Sequence, residues 1–204
     1  FQMNNQDTKA LRQLVPEARV IAPRNELGGW RGDANVYRGK NTGSYSIKGD
    51  VPEIVEIQQF AASQGRLLNH LDIDEKRKVA VIGSKVVNDL FDLGEDVIGS
   101  NIRINGVYFT VIGTFKSKKS GEEAEDDAQS IFIPFSSFQQ AFNYADRVSY
   151  FGFLPVDGVS VAEMEEKIVK VLKERHRIHP DDEFAFGTNN NEEDFAEYAN
   201  VFSG

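Results

Sequence analysis

The segment Lys78–Phe115 constrains this chain more than any other. Val79-Ala80-Val81-Ile82 is a continuous apolar run of strand length, which predicts a strand buried on both faces. Gly83-Ser84 follows as a helix start. Val86, Val87, Leu90 and Phe91 then recur at helical spacing, so a short helix to about Phe91 is expected. Asn101–Ile104 alternates, Asn105-Gly106 is the dipeptide favoured by a type I′ turn, and Tyr108–Thr114 supplies the return strand. Strand, helix and hairpin within one stretch mark a mixed α and β chain.

Before this segment, Leu11, Leu14 and Val15 share a helical face over Asn5–Val15, ended by Pro16. Ala18–Ala22, Ala34–Tyr37, Tyr45–Lys48 and Gln59–Ala62 read as short strands between glycine turns. Val51–Ile57 reads as a short helix with Pro52 in its first turn, where a missing N–H costs little. After it, Lys116–Asp127 reads as a mobile polar loop, Ile131–Ile133 as a strand, and Pro134 as the start of a helix with Phe138, Ala141 and Phe142 inward. Tyr150–Pro155 is the next strand. Ser160 and Glu163 have capping-box spacing, and Val161, Met164, Ile168, Val171 and Leu172 carry a helix to about Glu174. Glu183–Phe186 reads as a last strand. Asn190 and Glu193 then repeat the capping pattern more weakly before Phe195, Tyr198, Ala199 and Phe202, which predicts a helix to the chain end.

The chain has 204 residues, long enough for one large domain or two modest lobes, and 15 Phe supply the bulk for a core. Its 23 basic and 32 acidic residues leave a net charge of -9. No basic stripe is present, which argues against nucleic acid and against an anionic lipid surface as partners. There is no cysteine, so a disulfide framework, thiol catalysis and cysteine-ligated metal are excluded. No apolar run approaches the roughly 20 residues that span a bilayer, and no secretion signal is visible. The chain begins with Phe1 rather than Met, and it reads as a piece of a longer protein.

The search for chemistry yields little. His176 and His179, three apart, suit a metal pair on a helix, but the helix is ending there and no third ligand is near in sequence. A solvated final turn, favoured by the helix dipole, is the preferred reading. His70, among Asn69, Asp72 and Asp74, is expected to make an ordinary surface or inter-lobe hydrogen bond. The acidic run Glu122–Asp127 and the stretch Asp72-Ile73-Asp74-Glu75 both fall short of a calcium loop, which needs alternating oxygen ligands and an internal turn glycine. Gly28-Gly29-Trp30-Arg31-Gly32 has no helix after it to present N–H groups to a phosphate. Trp30 is a conceivable sugar or peptide platform, though covering a lobe edge is the commoner use. Ser84 after Gly83 has no evident base. No catalytic, cofactor or metal residue is assigned, and a non-enzymatic role is expected.

The order of landmarks carries more. Arg77–Phe115 runs through Val79–Gly83, Leu90-Phe91, Ile98-Gly99, the Asn105-Gly106 turn and Phe109-Thr110-Val111-Ile112-Gly113. Upstream stand Lys48-Gly49-Asp50-Val51-Pro52 and Gly65-Arg66, and downstream Ile131–Pro134. Over about Ser46–Pro134 this closely resembles the periplasmic core domain of MacB-type ABC transporter permeases; elsewhere only the element order matches. The resemblance implies an α+β fold of two lobes. Residues 16–70 with 145–189 would form a discontinuous Porter-like α/β sandwich. Residues 71–144 would form a smaller, inserted, mixed Sabre-like lobe, with stalk helices at 1–15 and 190–204. It also implies a non-catalytic domain on the periplasmic face of the inner membrane, between membrane helices of the parent permease. There it passes on motion driven by ATP hydrolysis in a separate cytoplasmic subunit or domain. The implied partners are that ATPase and those helices, with a periplasmic adaptor protein or a lipoprotein or peptide cargo beyond them. The parent would be a homodimer or heterodimer and the isolated domain a monomer. A stand-alone cell-surface or periplasmic module binding a peptide, lipoprotein or glycan is the alternative. If the ends are cut stalks, they should leave the domain side by side.

Overall fold

The computed structural model describes residues 1–29, 32–193 and 196–203. In chain order the first elements are β1 (Met3–Asn4), α1 (Asn5–Leu14), β2 (Ala18–Gly28), β3 (Val36–Arg38), β4 (Asn41–Gly43) and β5 (Ser46–Asp50). A 3-10 turn at Pro52–Glu56 leads to β6 (Phe60–Gly65), α2 (His70–Asp74), β7 (Val79–Gly83), α3 (Ser84–Leu90), β8 (Asn101–Ile104) and β9 (Val107–Ser117). Then come α4 (Glu122–Ala128), β10 (Ser130–Pro134), α5 (Phe135–Ala141), β11 (Arg147–Val148), β12 (Tyr150–Pro155) and α6 (Val161–Arg175). Strands β13 (Phe186–Glu193) and β14 (Ala196–Ser203) complete the chain. No helix among the described residues is long and apolar enough to cross a membrane.

The chain forms two compact units: Phe1–Asn25 with Ala145–Gly204, and Glu26–Tyr144, which lies between them in sequence. In the first unit the strands run in the order β13-β14-β12-β2, each antiparallel to its neighbour. Helix α6 packs on β12 and β14 and against α1. Its inward stripe, Met164, Ile168, Val171 and Leu172, is buried as the helical spacing predicts. Ser160 caps it, accepting the Glu163 N–H at 3.1 Å. Phe151 and Phe153 sit 5.7 Å apart, ring centre to ring centre, in the same core.

In the second unit the order is β5-β10-β7-β9-β8-β3-β4, with β6 also on β9. The pairs β5·β10 and β7·β9 are parallel and the others antiparallel. β7 is buried as the apolar run requires. Ala80 and Ile82 join a core with Val86 and Leu90 of α3 and Phe138 of α5. On the other side, Val81 lies with Ile54 and Phe60, and Phe60 stacks on Phe132 at 4.6 Å with Phe115 tilted against both. Apolar burial on both sides of one strand is the main reason a continuous Val/Ile run is stable here.

Four expectations are corrected. The C-terminal stalk helix over 190–204 is instead a β-hairpin, β13–β14, with unbroken register from Phe186↔Ser203 to Glu193↔Ala196. Asn189-Asn190-Asn191 is a poor helix former, while pairing with β12 buries Ala199 and Val201 at a period of two. Residues 1–15 are no free stalk either: α1 buries Asp7, Ala10 and Leu11 within the first unit. The boundary expected at 70/71 falls at 25/26, because β3, β5 and β6 take their partners from β8, β10 and β9, and the one expected at 15/16 lies inside the first unit. The inserted unit is thus the longer of the two. Finally, Glu122–Ala128 is a helix, not part of a loop. Glu122, Glu123 and Glu125 lie in its first turn, where the helix dipole favours them, and Ser117 Oγ–H donates to Asp127 Oδ2 at 2.7 Å.

Candidate functional site

Asp7 holds the first turn of α1 and the last turn of α6 together. At the start of α1, the Asn4 side chain accepts the Gln6 and Asp7 N–H groups at 3.0 and 3.1 Å, and Asp7 Oδ2 accepts the Asn4 N–H at 2.9 Å. This is a capping box built from Asn and Asp. The same carboxylate, fully buried, also accepts Arg175 Nε–H at 2.8 Å on Oδ1 and faces His176 Nε2 at 2.8 Å on Oδ2. Both partners sit at the C-terminus of α6, where the helix dipole favours positive charge. A buried carboxylate is tolerated only when paired and hydrogen-bonded, and here its oxygens carry three bonds to two helices.

The chain ends meet beside this clamp. The Phe1 ring lies 4.8 Å from the His176 ring and 5.1 Å, edge-on, from Phe186. Phe186 is the cross-strand partner of Ser203. Met3-Asn4 pairs with Arg147-Val148, and Asn5 N–H donates to the Asp146 carbonyl at 2.9 Å. The first five residues are therefore held by β pairing, by a cap and by ring contacts to the last strand pair.

A second tie lies where the chain leaves this unit and returns to it. Asn25, fully buried, donates to the Arg147 carbonyl at 2.8 Å. Its Oδ1 accepts the Ser149 N–H at 2.8 Å and the Ser149 hydroxyl at 2.9 Å. Lys167 Nζ donates to Glu17 at 2.6 Å, and that bond holds the Glu17 carboxyl below its usual range. The entering and departing strands are thus fixed to one another and to α6. Asp7, Asn25 and Arg175 escaped the sequence reading. The signal for Asp7 was Asn4-x-x-Asp7, a variant of the Ser/Thr-x-x-Glu pattern, and nothing local announces Asn25.

In the inserted unit the counterpart is Asp72. Arg66 donates to both its oxygens at 2.7 and 3.0 Å, Arg77 adds a longer contact at 3.3 Å, and the Asn69 N–H donates at 2.9 Å. Burial by itself would raise this carboxyl. The Arg66 bonds, the Asn69 N–H and the arginine charges outweigh it, and the group lies below its ordinary value. The neighbouring backbone is as tightly specified. Gly65 and Gly113 face each other across β6 and β9, and a Cβ on Gly113 would stand 2.0 Å from the Arg66 carbonyl oxygen. A Cβ on Gly49 would meet Phe138 at 2.6 Å. The glycine landmarks that mark this stretch in the sequence are points where another chain segment occupies the space of a side chain.

The remaining candidates disperse. His176 is engaged by Asp7, while His179 is exposed and accepts the Asp181 N–H; the two form no metal pair. His70 faces Glu53 at 2.7 Å on the surface. Asp72 of the 72–75 stretch is taken by arginines, Asp127 of α4 by Ser117, and Glu122, Glu123, Glu125 and Asp126 of that helix are exposed. Among the described residues no group of His, Asp and Glu could hold a metal ion. Ser84 opens α3, and among the described residues no base is bonded to it. Gly28 and Gly29 adopt positive φ, whereas Trp30 and Arg31 lie outside the described residues.

The family model described as the MacB-like periplasmic core domain matches residues 2–171. Similar proteins include a pyoverdine export ATP-binding/permease protein PvdT of Pseudomonas syringae pv. syringae, 29% identical over 185 residues, which are 91% of this chain and 27% of the relative. A macrolide export ATP-binding/permease protein MacB of Syntrophobacter fumaroxidans is 28% identical over 141 residues, 67% of this chain and 18% of the relative. This chain thus spans roughly a quarter of the length of the curated relatives it matches, or less. Among solved structures, the periplasmic region of MacB from Actinobacillus actinomycetemcomitans aligns with a TM-score of 0.73 at 19% identity, covering 87% of this chain and 77% of that one. The extracellular domain of the transporter YknZ from Gram-positive bacteria aligns with a TM-score of 0.73 at 13% identity, covering 88% and 87%. At these identities the two structures establish the shared fold.

Proposed function

Because the chain belongs to the family of MacB-like periplasmic core domains, whose model spans residues 2–171, we propose that it is the extracytoplasmic, non-catalytic domain of an export permease driven by ATP hydrolysis in another subunit or domain. It stands on the outer side of the cytoplasmic membrane and converts movement of membrane helices at its two ends into movement outside. It holds no cofactor of its own; ATP is bound elsewhere in the parent. Beyond the membrane helices and the ATPase, its partner is an adaptor protein or a peptide or lipoprotein cargo.

One observation carries the reading. Both chain ends are rooted in the same unit, and Asp7 ties the first helix to the end of α6 by charge-assisted bonds. A domain pulled at its ends transmits displacement only if those ends are clamped to its core, since a frayed terminus would absorb the motion. The test uses the full-length parent transporter carrying Asp7→Ala, reconstituted in vesicles. Export should fall further than ATP hydrolysis does, because fuel use and force transfer are then uncoupled. Turnover of any substrate by the 204-residue chain alone, or export untouched by loss of the clamp, would overturn the assignment.

A further inference from the structure

The outer side of α6 is left uncovered. α6 packs on β12 and β14, and a groove of about 780 Å³ runs between its outer side and the edge strand β13, closed by the 178–183 segment. From Ala162 to Glu174 the helical wall is about 18 Å long at 1.5 Å per residue, long enough to lie alongside a polypeptide segment of several residues. Val169, Ile178, Pro180 and Phe186 give it an apolar floor. Its rim carries Glu165, Glu166, Glu174, Asp182 and Glu183 against only Lys170 and Lys173. Lys173 is already committed to the Pro180 carbonyl at 2.9 Å. Among the described residues, Glu165 Oε2 is shielded from solvent with no hydrogen-bond partner. Shielded from water, that oxygen is out of reach of an arriving donor as the groove stands, so selectivity rests on the rim carboxylates as a group.

We infer that the α6–β13 groove docks a basic, amphipathic polypeptide segment of a partner protein, its apolar side on Val169, Ile178 and Phe186 and its Lys or Arg side chains on the acidic rim. Apolar floor and acidic rim are both needed: the floor supplies affinity and the rim selects charge and orientation. The occupied groove would also press on Phe186, the ring against which Phe1 rests, so a docked segment touches the rooted end of the chain.

The second acidic surface, the exposed first turn of α4, provides the control, because Glu122 and Glu123 carry comparable charge and no residue of that helix is buried. The 204-residue chain, labelled for NMR, is titrated with a helical peptide of Leu and Lys and separately with its Leu and Glu counterpart. Saturable shifts are expected for the basic peptide alone, at Val169, Lys173, Ile178 and Phe186. Glu166→Lys with Glu183→Lys, both exposed positions outside the core, should weaken binding by about tenfold or more. Glu122→Lys with Glu123→Lys, the same change in net charge placed on α4, should alter it less than about twofold. Equal weakening by both pairs would reduce the effect to net charge and overturn the inference. So would shifts centred on α4, equal binding of the acidic peptide, or no saturable binding.

Discussion

Asp7→Ala is the most informative single perturbation of the rooted end. It removes half of the Asn4–Asp7 capping box, which is typically about 1 kcal/mol. It also removes two charge-assisted bonds, each about 1.5–3 kcal/mol when fully sequestered. Full value does not apply, because the Arg175 side chain is 33% exposed and rehydrates once released. His176, 14% exposed, has less room to do so. Loss of one partner from a buried pair costs about 3–5 kcal/mol, and the exposure of Arg175 points to the lower end, about 3 kcal/mol. For a chain of this length melting as a whole, that lowers the melting temperature by roughly 6–12 °C. Hydrogen exchange by mass spectrometry resolves the location. Protection of α1 around Ala10-Leu11 should fall about a hundredfold while β7 and β9 keep theirs. Asp7→Asn, which retains an acceptor for the Asn4 N–H but no charge, should fall between wild type and Asp7→Ala. A loss below about 1 kcal/mol for Asp7→Ala, or equal loss of protection in both units, would refute the clamp as the device that holds α1.

The Asp72 carboxyl is held low in the folded state, so between the folded and unfolded values the unfolded chain binds more protons. Its contribution is therefore complete above the unfolded carboxylate value of about 3.9 and is lost as pH falls through the lower folded value. Urea midpoints of the inserted unit measured in acid should show this loss, and Asp72→Asn should flatten it. Gly113→Ala places a Cβ 2.0 Å from the Arg66 carbonyl. It should cost about 3 kcal/mol or more, whereas Gly106→Ala, with positive φ but open space, should cost only about 1–2 kcal/mol; paired thermal melts separate the two. Gly187→Ala drives a methyl into the Phe202 ring and should cost about 1–3 kcal/mol. It should also weaken amide protection in β13–β14 before α6 is affected. Preserved protection there would show that the ring moves aside freely.

Local chemistry made much of the inserted unit readable. The β7–α3 step, the Asn105-Gly106 hairpin and the Pro52 turn are decided within a few residues of chain, by burial period and turn preference, and they stand where those predict. Helix α6 was equally plain, with an N-cap serine and an apolar stripe over four turns. The candidate site was not legible in the same way. Asp7 and Arg175 are 168 residues apart and Asn25 and Arg147 are 122 apart. Neither pair leaves a mark that one stretch of sequence can display.

The amino-acid order by itself determined which short segments are strands and helices where the hydrophobic period is unambiguous, and it placed turns at residues that tolerate positive φ. Only the tertiary structure decided the chain end. Phe195, Tyr198, Ala199 and Phe202 fit a helical period, yet β12 offers backbone partners and a core side for Ala199 and Val201, which a lone helix there could not match. It likewise assigned residues 26–70 to the inserted unit, because strands find partners by hydrogen bonding across distant sequence. Helix formation is local and cooperative along the chain. Strand pairing is not, so its outcome is written in contacts rather than in neighbours.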